Sequence, residues 1–139
     1  MPTDARDVTG WIWSRGHDHA TDARGEHLGI GGTKTDPGKI ILQIGSHQTE
    51  VGESEIPRWT WVHVLFVRQG DRVQVYVNGN QEPEIDTLAP LTVNDEIGQF
   101  FFGGKCDSSF NFEGRLDEVA IFNRALKPQE IRRLDPQDQ

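Results

Sequence analysis

The chain has 139 residues, enough for one domain, with 35% hydrophobic residues, fifteen glycines and seven prolines, a composition suited to a turn-rich β protein with a modest core. Its formal net charge of −8 argues against a nucleic-acid binder and against attachment to an anionic membrane, because both need a basic face. A single cysteine, Cys106, excludes an internal disulfide and a cysteine-based zinc site within one chain.

Period-two alternation recurs along the sequence, and helical periodicity is almost absent. Residues 1–7 read as an extension without the apolar run of a secretory leader. The chain is therefore expected to stay where it is made, unless it belongs to a longer exported protein. Val8 to Arg15, with Trp11-Ile-Trp13, predicts a strand. Gly16 to Gly25 is a polar loop. Glu26 to Ile30 and Lys39 to Ile44 predict two more strands, and Gly29-Ile-Gly31-Gly32 between them reads as a turn. A weak strand falls at Thr49 to Val51.

Trp59 to Val67 is apolar on both faces and predicts a central strand. Gln69-Gly-Asp71 turns the chain. Arg72 to Asn78 then alternates, with Val73, Val75 and Val77 on one face and Arg72, Gln74, Tyr76 and Asn78 on the other. Asn78-Gly79 predicts a hairpin turn, because both residues accept positive φ. Ile85 marks an edge strand. Ile97 to Gly103 holds Phe100-Phe-Phe102 and predicts a strand buried on both sides. Phe110 to Phe122 is the last strand, with a kink at Gly114, and Pro128 opens a short helix. Residues 135–139 read as a frayed acidic tail. Many short strands separated by turn signals predict an all-β, antiparallel two-sheet sandwich over residues 8–134.

Two segments carry a family resemblance. Trp61-Val-His-Val64, continuing through Gly70-Asp71 to Val75-Tyr-Val-Asn-Gly79, is the first. The second runs from Phe102-Gly-Gly104 through Phe112-x-Gly114-x-Leu-Asp117-Glu-Val to Asn123-Arg-Ala-Leu126. Together they resemble the laminin-G-like domains of the concanavalin A-like lectin and glucanase jelly rolls. The family's usual opening strands have no match before Trp11, so the resemblance implies a sandwich incomplete at its N-terminus. A domain lacking such strands is expected to belong to a longer protein or to pair with another chain, a second copy included.

The resemblance implies a binding module without catalysis, most readily a carbohydrate binder serving as an accessory domain. Trp59 is the aromatic expected to stack on a sugar, with Arg58, Arg15, Gln74, Tyr76 and Asn78 as polar or aromatic neighbours on a concave sheet. An interaction module using an unpaired edge strand is the alternative. A glycoside hydrolase is the remote one: Glu84-Ile-Asp86 echoes the carboxylate strand of related glucanases, but the third position is Ala89. The family often holds a structural calcium, and Asp117 matches one of its ligands. Calcium wants six to eight oxygens, and the partners of Asp117 are missing from this sequence. His17-Asp-His19 with Asp22, Glu26 and His27 is the densest set of other metal-binding side chains, read as a solvated loop.

Overall fold

A computed structural model describes residues 8–16, 25–32, 34, 36–45, 48–90, 99–104, 112 and 114–134. Cys106, the loop histidines His17 and His19, and Asp22 lie outside them. The described chain forms β1 (Val8–Gly16), β2 (Glu26–Gly31), β3 (Lys39–Ile44), β4 (Gln48–Glu55), β5 (Val64–Gln69), β6 (Arg72–Val77), β7 (Ile85–Leu88), β8 (Gln99–Phe102) and the short helix α1 (Pro128–Arg132). The strands make two antiparallel sheets, a five-stranded one ordered β4-β3-β2-β1-β8 and a three-stranded one ordered β5-β6-β7. The all-β two-sheet sandwich is as the sequence predicts. The strand expected over Glu26 to Ile30 is present, and Gly31, expected in the turn, extends it by one residue and pairs with Val8 of β1. No helix among the described residues is long and apolar enough to cross a membrane.

The core follows from the alternation. Leu28, Ile40, Leu42 and Ile44 from the wide sheet meet Val73, Val75 and Ile85 from the narrow one, all buried. β-Branched side chains stiffen those rows, and burying each contributes roughly 1.5–3 kcal/mol. A second, smaller cluster lies behind the narrow sheet, where Ile131 of α1 packs on Val67 and Tyr76. Pro128 sits in the first turn of that helix, and the Glu130 carboxylate accepts the Lys127 N–H at 2.8 Å.

Five strands facing three leaves part of the wide sheet uncovered. Polar bridges stitch the β4–β7 side. Glu84 Oε2 accepts the N–H groups of Glu53 and Ser54 at 2.8 and 3.0 Å. Gln48 Nε2 donates to the Leu88 carbonyl at 3.0 Å, and Thr87 Oγ1 to Glu50 at 3.0 Å. On the opposite side β5 is the last described strand of the narrow sheet, while β1 and β8 extend beyond it.

Two sequence expectations change there. The strand expected to start at Trp59 starts at Val64, because the chain turns through residues 58–60 with Trp59 at φ 59. Phe100 and Phe102, expected to be buried on both faces, are exposed, and so is Trp61. Among the described residues no strand of the narrow sheet lies opposite β8.

Candidate functional site

An open cleft of about 2010 Å³ fills the uncovered region. Its walls are β5 on one side and residues 114–124, which lie outside any strand, on the other. Trp13, Phe100 and Phe102 line it from the wide sheet, and Trp59 and Trp61 stand at its rim. Trp13 meets Phe66 edge-on at 4.8 Å and lies 6.0 Å from Phe100. The cleft is about twice the upper end of the ~300–1,000 Å³ range of small-molecule pockets.

A buried ionic cluster anchors its inner end. Alternation sets Arg15 and Glu26 on the core face beside Trp13 and Leu28, and Arg68 on the core face of β5 beside Phe66. Glu26 is 1% exposed, and its Oε2 accepts from Arg68 Nη2 at 2.6 Å and Nε at 3.2 Å. Arg68 Nη1 also donates to the Ala89 carbonyl at 2.7 Å. Arg15 Nη2 stands 2.8 Å from Glu26 Oε1, close enough for an ion pair but not aligned as a hydrogen bond. Arg15 Nε is buried without an acceptor. Among the described residues the cluster carries two guanidiniums for one carboxylate, and leaving buried charge uncompensated is costly. Gly25 holds the approach: at φ 90, a Cβ there would fall 1.8 Å from the Arg15 carbonyl oxygen.

Of the residues the sequence singled out for ligand contact, Arg15, Arg58 and Trp59 line this cleft. Trp59 is 97% exposed, and Trp61, two positions on, is 64% exposed. Gln74, Tyr76 and Asn78 are not part of the cleft lining. Tyr76 is buried beneath α1 on the other face of β5 and β6, where burial raises its pKa. Gln74 Nε2 donates to Asp86 at 3.3 Å. Asn78 Oδ1 accepts the His63 N–H at 2.9 Å, so it prolongs the β5–β6 pairing past the strand ends.

Glu84 and Asp86 do not form a carboxylate pair. Glu84 caps the β4 backbone, and Asp86 takes two hydrogen bonds from Arg72 at 2.7 and 3.0 Å. That pairing holds the Asp86 carboxyl below its ordinary pKa. Glu26 and His27 alternate to opposite faces: His27 is hydrogen-bonded to Ser14 and packs against Trp11. Asp117 is exposed and accepts the Glu118 N–H at 2.8 Å. Among the described residues no group of three histidine, cysteine or carboxylate side chains could hold a metal ion. One carboxylate is not a calcium cage, so these residues do not fit that ion.

Arg68, Phe100, Phe102, Val119 and Ile121 also line the cleft, without a motif in the sequence that marks them as site residues. Arg68 and Glu26 were detectable, since each is a charge placed by alternation on a core face. The exposed aromatics were not, because apolarity alone does not say that an opposing layer is missing.

The family profile described as the concanavalin A-like lectin/glucanases superfamily matches residues 8–132. The chain belongs to that superfamily, as a laminin-G-like sandwich. Among solved structures it is similar to an S-layer domain-containing protein (residues 221–444) from Clostridium thermocellum ATCC 27405. That match has 22% identity over 97% of this chain and 68% of the other, with a TM-score of 0.43.

Proposed function

We propose that the protein is a non-catalytic, carbohydrate-binding accessory module, with Trp59 as the sugar-stacking platform and Arg58 beside it as a hydrogen-bond donor. The observation that carries this reading is the presentation of Trp59. A large aromatic 97% exposed costs hydration free energy for no gain in packing. It also sits at φ 59, a conformation a bulky residue adopts only under constraint, and such outliers cluster at ligand sites. The Thr60 hydroxyl donates to the Arg58 carbonyl at 3.2 Å and helps define the turn. An indole face suits the C–H-rich side of a pyranose, and a guanidinium suits its hydroxyls. Superfamily membership supplies the ligand class by analogy.

The carboxylates that would do hydrolysis are committed elsewhere, Glu84 to backbone and Asp86 to Arg72, which supports binding over turnover. The test is a glycan array with the intact chain, followed by titration of any hit. A hit should weaken about ten-fold in Trp59→Ala, the loss of roughly 1.4 kcal/mol, with folding unchanged. An array blank at high protein concentration, or binding indifferent to Trp59, would overturn the reading.

A further inference from the structure

The turn that presents Trp59 presents a second indole two positions on. Residues 57–62 run between two fixed points. Before them, the Ile56 N–H donates to the Gly38 carbonyl at 2.8 Å, and the Ile56 side chain packs against the main core. After them, His63 and Asn78 exchange two hydrogen bonds: the His63 N–H donates to Asn78 Oδ1 at 2.9 Å, and the Asn78 N–H to the His63 carbonyl at 2.8 Å. Pro57 adds a fixed φ at the start of the segment. A short segment tied at both ends holds its side chains in place before any ligand arrives.

Between these anchors Trp59 and Trp61 are 97% and 64% exposed. Among the described residues neither indole makes a ring contact or a hydrogen bond, and neither belongs to a core cluster. Both line the same cleft. Their Cα atoms, two residues apart, are separated by at most about 7 Å. Rings carried that close do not serve separate ligands. They suit neighbouring units of one chain-like ligand, and a cleft of about 2010 Å³ has room for several. A single platform at Trp59 leaves the exposure of Trp61 without a purpose.

We infer that the ligand is an oligosaccharide of at least two units, with Trp61 as a second stacking platform that makes the site read chain length. The inference rests on the sugar-binding reading given above. Trp59 takes one pyranose ring and Trp61 its neighbour. The two indole N–H groups and the Arg58 guanidinium are donors aimed at hydroxyls along the chain. The second stack forms within a molecule already held, so it adds affinity without a second loss of translational freedom. The anchored segment keeps the ordering cost of both stacks low. A single sugar engages one ring and binds weakly.

Calorimetric titration of the intact chain with cellulose, laminarin and xylan oligosaccharides, each from one unit to six, tests this. On the ladder that binds, affinity should rise at least ten-fold between the single sugar and the length that covers both indoles, then level off. Trp61→Ala changes an exposed side chain, so its circular dichroism and melting temperature should match the parent. It should flatten the rise and leave the single sugar bound as in the parent, whereas Trp59→Ala should weaken every length. Trp61→Phe, which keeps a ring, should keep most of the rise. Equal affinity for one unit and six, or a rise that survives in Trp61→Ala, would overturn the inference and leave the Trp59 platform standing. No binding on any ladder would overturn both.

Discussion

The two lateral sides of the sandwich contrast sharply. On the β4–β7 side, Glu84, Gln48, Glu50 and Thr87 bridge the sheets, and the neighbouring apolar rows are sealed. On the β8–β5 side the wide sheet overhangs the narrow one, and tryptophans and phenylalanines stand in the open. Both sides obey the same strand alternation. Among the described residues the difference lies in the number of strands, and it shows that hydrophobic patterning produces a core only where a second layer exists to receive it.

The largest effect should come from the ionic cluster between the two sides. Glu26→Ala would leave Arg15 and Arg68 facing each other unpaired and should cost about 3–5 kcal/mol in denaturant unfolding. A loss under about 1 kcal/mol would mean that water already reaches the cluster. On the sealed side, Leu42→Ala should cost about 2–5 kcal/mol, because the cavity cannot collapse. On the open side, Val119→Ala should stay within about 0.5 kcal/mol in dilute protein. Equal losses at the two positions would erase the contrast.

A smaller effect concerns pH. Partial burial at the cleft lowers the pKa of His63 below its ordinary 6.5. The unfolded chain therefore takes up this proton first as the pH falls. Stability from His63 is complete above about 6.5 and declines below it, until the folded state protonates too. Urea titrations from pH 7.5 to 5 should show a shallower decline in His63→Gln than in the parent. Identical slopes would place His63 in full solvent.

Much of the sealed side was legible in the sequence. Val73 and Val75 alternate with polar neighbours and are buried, and Gln69-Gly-Asp71 turns the chain at Gly70 with φ 60. Asn78 and Gly79 do take positive φ, at 54 and 68, and the Asn80 N–H closes the turn on the Val77 carbonyl. That turn does not set a two-residue hairpin, because β7 begins only at Ile85. The open side was harder to read. Trp61 and Phe100 look like core residues by type, and their exposure depends on a layer that local pattern cannot count. The separation of Trp59 from Tyr76 and Gln74 was also hidden. It follows from the turn at residues 58–60 and from α1 covering the far face of the narrow sheet.

Residue-resolved hydrogen exchange across a dilution series tests the open edge most directly. The amides of Leu65, Val67 and Gln69 should be protected at every concentration, whereas those of Val64, Phe66 and Arg68 should exchange fast in dilute protein. Edge amides as slow at the greatest dilution as those bonded to β6 would contradict an open edge.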